Sequence, residues 1–225
     1  IIKILNEKNL AIARDQNPLS KMPGNSLIGE FLARAYDDKT TGHALIYFDF
    51  NDFKPFNDYY GFRRGDRAIL MFADLLRNAV FSTGKENFAG HLGGDDFFAG
   101  ISLHQGEIPE ICGHIAKIIA KFHPYTESLY DQADRERGFI LAMDRSGEKK
   151  KFGLLSLSTA VLVLEPGPRS YSMEDVIRNI AGLKKQAKGN LKNKTAIAIL
   201  KQTTPLAYAL SKTGVNVVQT QQNVT

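Results

Sequence analysis

The run His91-Leu92-Gly93-Gly94-Asp95-Asp96-Phe97-Phe98 constrains the fold more than any other stretch of the chain. Two glycines and two carboxylates form a turn, and the apolar segments around it, Phe88 to Leu92 and Phe97 to Leu103, read as the strands of a hairpin. Gly93 and Gly94 permit backbone angles closed to other residues. Asp95 and Asp96 crowd like charges at the tip, where a divalent cation would offset their repulsion. Taken alone, the run reads first as an ordinary Gly-Asp hairpin turn, the commonest way to join two strands. A second acidic segment favours the metal-holding reading.

That segment is Leu45-Ile46-Tyr47-Phe48-Asp49-Phe50-Asn51-Asp52-Phe53-Lys54, followed by Asn57-Asp58-Tyr59-Tyr60-Gly61-Phe62 and then Gly65-Asp66. An apolar strand running into acids puts Asp49 at the strand's carboxyl end. A capping or salt-bridged strand-end acid is the alternative, but it leaves the second acid, the glycines and Lys54 without a common reason. Upstream, Leu27, Ile28, Phe31, Leu32 and Ala35 recur at helical spacing after the turn at Pro23-Gly24. A helix is expected to begin near Asp66, with that carboxylate as its cap and Ile69, Phe72, Leu76 and Ala79 facing the core. Ile108, Ile111, Ile115, Ile118, Ile119 and Phe122 mark a third long helix, and Met173 to Ala187 a fourth. Leu154 to Leu164 and Thr195 to Leu200 read as strands. Between His123 and Phe152 a further hairpin is expected, with its tip at Asp144 to Gly147 and a solvated edge at Lys149-Lys150-Lys151.

Strand, helix, hairpin, helix, strand is an α+β, ferredoxin-like order. A right-handed crossover makes the first two strands parallel with the third between them. The glycine turn then lies beside the end of the first strand, so Asp49 and Asp95 can meet.

Asp-Phe-Asn-Asp-Phe-Lys, Asn-Asp, Gly-Asp and Gly-Gly-Asp-Asp-Phe together closely resemble the GGDEF family of diguanylate cyclases, which condense two GTP into cyclic di-GMP. The family's leading motif appears, altered, as Asn17-Pro18-Leu19-Ser20-Lys21-Met22-Pro23-Gly24-Asn25, and its later parts appear as Leu157-Ser158-Thr159-Ala160 and Gln186-Ala187-Lys188. The resemblance implies a nucleotide-cyclase-like palm, an antiparallel sheet flanked by helices, here with an extra hairpin. It implies Mg2+ or Mn2+ as cofactor, with Asp49, Asp95 and the backbone carbonyl of Phe50 as ligands and Asp49, Asp95 and Asp96 as the catalytic carboxylates. Lys54, Lys188 and Lys192 match triphosphate contacts, and Asn57 and Asp66 match the pair that reads guanine. Each lysine alone is also an exposed helix-end charge; Asn57 alone is a turn asparagine, and Asp58 reads as structural. His91, Tyr59 and Tyr60 are candidates to line the site.

Joining two GTP molecules requires a ribose 3′-hydroxyl of one to attack the α-phosphorus of the other. Two cations roughly 3.5 to 4 Å apart suit that chemistry and require hard oxygen ligands. The resemblance further implies GTP as partner and a homodimer, since one site holds one nucleotide. The alternative is a catalytically degenerate domain, a GTP-binding regulatory module of a larger signalling protein. A structural ferredoxin-like interaction domain without nucleotide is the reading outside enzymes and nucleotide receptors. The signature departs from the usual pattern at Asp96, where the family has glutamate, and at Lys192, where arginine is usual. The family's inhibitory Arg-x-x-Asp is matched by Gly84 and Asn87, so product inhibition through that site is expected to be absent.

With 225 residues and 43% hydrophobic content, the chain suits one domain with appendages. The expected division is a connector helix over 1–16, the GGDEF domain over 17–203 and a tail over 204–225. The start at Ile1 rather than methionine suggests a piece of a longer or processed protein, with an upstream sensory or regulatory domain. No apolar run approaches the ~18 residues of a membrane span, and no signal segment opens the chain. One cysteine, Cys112, among isoleucines, reads as core and suits a reducing cytoplasm. A net charge of +5, spread along the chain, gives weak support for nucleic-acid binding and none is expected.

Overall fold

The computed structural model describes residues 15–82, 84, 86–103, 108–144, 146–189 and 195–200. The expected tail, nearly all of the connector helix, and Lys192 lie outside these described residues. Among the described residues, five strands form the main sheet in the order β2 (Phe88–Gly93), β3 (Asp96–Leu103), β1 (Gly42–Asn51), β6 (Ser156–Leu164) and β7 (Thr195–Leu200). Pairing is antiparallel except between β6 and β7, which are parallel. Thus β1 and β2 are parallel with β3 between them, the split arrangement expected from the sequence. The additional hairpin is present as a separate two-stranded sheet of β4 (Phe139–Met143) and β5 (Lys149–Gly153).

Alternation along β1 divides the core in two. Ala44, Ile46, Phe48 and Phe50 join one apolar cluster under α2 (Phe53–Tyr60), α3 (Phe62–Phe81) and α4 (Ile108–Glu127). Leu45 and Tyr47 join a second cluster under α1 (Asn25–Asp37) and α6 (Met173–Gly189). A strand covered on both faces carries apolar residues at every position, which is why β1 lacks a polar stripe until Asp49. By the same parity Asp49 points to the α6 side, as does Asp96 in register beside it, two residues before Phe98 of that cluster. Cys112 is buried in the first cluster, as expected.

Two local expectations are corrected. Asn57 lies inside α2 rather than in a turn, and Asp66 lies within α3 rather than capping its start. The polar run Asn51-Asp52 hides α2 because the chain turns within one residue: Asp52 takes left-handed angles, φ 61 and ψ 22. Gly61, at φ 82, then separates the two helices and sets the start of α3 four residues earlier than the aspartate suggested.

Candidate functional site

The site lies where β1 ends, the β2–β3 turn folds over and α6 crosses the sheet. Gly93 and Gly94 adopt φ 142 and 57, closing the turn in a conformation unfavourable for side-chain-bearing residues. His91 supports that turn from behind. Its ring is buried and stacks on Phe97 at 4.1 Å, its Nδ1 lies 2.8 Å from Ser20 Oγ, and its Nε2 lies 3.0 Å from the Gly94 carbonyl oxygen. It therefore braces the turn instead of lining the site, contrary to the sequence expectation. Burial holds its pKa below the usual histidine value.

Asp49 is 6% exposed and sits opposite Asp96 in the β1–β3 ladder. Lys188 Nζ donates to Asp49 Oδ2 at 2.7 Å, and Lys184 Nζ to Asp96 Oδ1 at 2.7 Å. The other Asp49 oxygen, Oδ1, is buried without a hydrogen-bond partner. Burial pushes the Asp49 pKa up to about 6; the Lys188 ammonium opposes the rise, while Asp96 and Asp95 add to it. Asp95 is also raised, chiefly by burial and then by Asp96. Burial alone would depress Lys188, but its hydrogen bond to Asp49 and the three carboxylates leave it raised.

A cleft of about 340 Å³ opens beside these groups. Asp95, Phe50, Lys54 and Lys188 line it, so four of the sequence-selected residues share one cavity. Asp58 lines it too, although the sequence marked it as structural. The β4–β5 hairpin supplies a wall through Met143, Asp144 and Phe152. Asp144 fixes the hairpin tip by accepting from the Ser146 and Glu148 N–H groups at 2.8 and 3.0 Å and by pairing with Lys150. Lys151 lies over the Phe139 ring and the three lysines are exposed, in keeping with a solvated edge.

Helix α2 carries Lys54 and Asn57, and its start has no side-chain cap, leaving backbone donors of the kind that bind phosphate. Tyr60, at its end, donates to the buried Asp134 of α5 (Gln132–Arg137), and Arg64 stacks on the Tyr60 ring while pairing with Asp131. These contacts fix the orientation of α2. Tyr60 thus acts from outside the cleft, and Tyr59 is exposed. Asn57 Oδ1 is buried and unpartnered, and it sits over Gly65: a Cβ there would lie 1.9 Å away. Asp66 is exposed and, like Asn57, does not line the cleft.

Among the described residues, no three His, Cys, Asp or Glu side chains converge as a ready-made metal cluster. Asp49 and Asp95 nevertheless offer hard oxygen donors, and the orphaned Asp49 Oδ1 is a buried acceptor of the kind a cation satisfies. The donor set fits a divalent ion that also takes ligands from a phosphate. Lys184 was missed by sequence reasoning, although its i, i+4 spacing to Lys188 puts both on one helix face.

A family model described as "Diguanylate cyclase, GGDEF domain" matches residues 15–136. Diguanylate cyclase DgcS of Shewanella oneidensis is 31% identical over 114 residues, covering 41% of this chain and 36% of that protein. The chain therefore spans little more than a third of that curated relative. Among solved structures, the GGDEF domain of DgcB from Caulobacter crescentus in complex with c-di-GMP superposes with a TM-score of 0.59 at 18% identity, covering 81% of this chain and 95% of that chain. The coiled coil and GGDEF domain of the same protein gives 0.62 at 17%, covering 88% and 93%. The diguanylate cyclase SiaD of Pseudomonas aeruginosa, in complex with its activator SiaC, gives 0.58 at 16%, covering 88% and 67%. These structures share the fold, and with the family model spanning more than half of its 225 residues, the chain belongs to the GGDEF domain family of diguanylate cyclases.

Proposed function

We propose that this chain is a diguanylate cyclase that condenses two GTP into cyclic di-GMP and pyrophosphate across a homodimer, in the cytoplasm, under an upstream regulatory domain. The observation that carries the reading is the meeting of Asp49, Asp95 and Lys188 beside a cleft that also contains Lys54. Lys54 and Lys188 hold the triphosphate, with Lys192 as a further contact, and Asn57 and Asp66 accept from the guanine edge. Asp49, Asp95 and the Phe50 carbonyl would hold Mg2+ or Mn2+, which lowers the charge barrier to attack on the α-phosphorus and helps activate the 3′-hydroxyl. Asp96 supports the carboxylate cluster. The domain runs over 17–203 in this reading, with 1–16 as connector and 204–225 as tail.

A second reading is favoured by one contact. Asp96, already one methylene shorter than the usual glutamate, is held by Lys184, which suits a domain that binds GTP without turning it over and regulates a fused partner. Incubation with GTP and Mg2+ or Mn2+, with products resolved by chromatography, separates the two. Cyclic di-GMP that disappears with Asp95→Ala supports the enzyme; saturable GTP binding without product supports the regulatory module.

A further inference from the structure

Helix α6 buries Val176, Ile180, Leu183 and Ala187 against the sheet, and Lys184 and Lys188 flank that apolar face one turn apart. The strands opposite present carboxylates at matching spacing, because Asp49 and Asp96 are direct cross-strand partners. Each lysine takes one acid: Lys188 Nζ to Asp49 Oδ2 and Lys184 Nζ to Asp96 Oδ1, both at 2.7 Å. Lys184 is further held over the Tyr47 ring, 5.4 Å from its centroid. The ammonium groups thus stand where cations are needed to relieve the crowding of three carboxylates. Asp49 Oδ1, buried and without a partner, marks the donor capacity that the lysine leaves unused.

We propose that Lys184 and Lys188 are internal counter-cations that hold the site carboxylates in the nucleotide-free protein, so that high metal affinity arises only when a triphosphate draws Lys188 away from Asp49. The proposal rests on the reading of the cleft as a GTP site. Lys188 can make the exchange because its side chain is 52% exposed, whereas Asp49 is fixed in the strand. Lys184 is more covered, at 30%, and serves as a positioning residue that keeps Asp96 turned toward α6. Metal and nucleotide then bind with positive coupling, each raising the other's affinity by the same factor.

The test is Mn2+ binding to nucleotide-free protein, followed through the paramagnetic resonance signal of free Mn2+, for the native chain, Lys188→Met and Lys184→Met. Without its counter-cation the buried Asp49 is released, and Mn2+ alone should bind Lys188→Met about tenfold more tightly than the native chain. The Asp96 pair is about a third exposed and weaker, so Lys184→Met should gain about threefold at little cost to folding. Unchanged Mn2+ affinity in both variants, while a non-condensable α,β-methylene analogue of GTP still binds the native chain with Mg2+ by calorimetry, overturns the counter-cation role and leaves the GTP site standing. If the analogue fails to bind the native chain, the GTP-site reading falls and the proposal falls with it.

Discussion

At the scale of single residues, Asp49 is an acid in a place that disfavours its charge. Burial, Asp96 and Asp95 together outweigh Lys188, and the pKa stands near 6 instead of the ordinary 3.8. Between those two values the folded protein binds more protons than the unfolded chain, so this residue's contribution to stability is complete below about pH 4 and is lost as the pH rises to about 6. Asp49→Asn should therefore raise the stability of metal-free protein at pH 7.5 by about 1 kcal/mol while removing cyclic di-GMP formation. Thermal melts in chelator, paired with product assays, check both halves. His91 has the opposite sign. Its pKa is depressed, so its contribution is present above pH 6.5 and is lost as the pH falls through the folded value. The stability advantage of Asp49→Asn over the native chain should shrink as melts are taken from pH 7 down to pH 4, because only the native chain regains Asp49's contribution on acidification.

At the scale of elements, the strands and their order were legible because apolar runs bounded by glycines and acids have few other solutions. The right-handed crossover also put the glycine turn beside the end of β1, where Asp49 and Asp95 could meet. What the sequence hid were the short helix α2 and the start of α3, where polar residues at Asn51-Asp52 and Asn57-Asp58 suggested turns and the decisive signal was a left-handed angle at Asp52. Lys184 was hidden for a different reason: a lysine on an amphipathic helix reads as solvated until the strand opposite is known. The contact between α2 and α3 yields a prediction of its own. At Gly65 a methyl group would meet Asn57 Oδ1, the mobile end of a side chain, so Gly65→Ala should displace Asn57 without breaking the helix pair. Alanine in a helix interior is favoured over glycine by about 1 kcal/mol, so the fold should hold. With its guanine acceptor moved, the KM for GTP should rise about tenfold, more than kcat falls. An unchanged KM would remove Asn57 from the base-reading role.

At the scale of the whole molecule, the proposed reaction joins two nucleotides while each chain carries one Asp49–Asp95 pair, so product formation per chain should rise with protein concentration until dimers saturate. The same scale determines how the product acts back on the protein. A second cyclic di-GMP site would need paired charges to grip phosphate and base, and the segment before β2 has none at the matched positions. Gly84 has no side chain, and Asn87 is buried, its Oδ1 accepting the Ser102 N–H at 2.8 Å to hold β3. That asparagine is committed to the sheet and is not available to a ligand at the surface. Added cyclic di-GMP should therefore compete with GTP at the cleft, raising the apparent KM and leaving kcat unchanged at saturating GTP. Initial rates at several fixed product concentrations, taken above the dimer-saturating protein level, distinguish the cases. A fall in kcat at saturating GTP would show that the product binds outside the cleft, at a place other than Gly84 and Asn87.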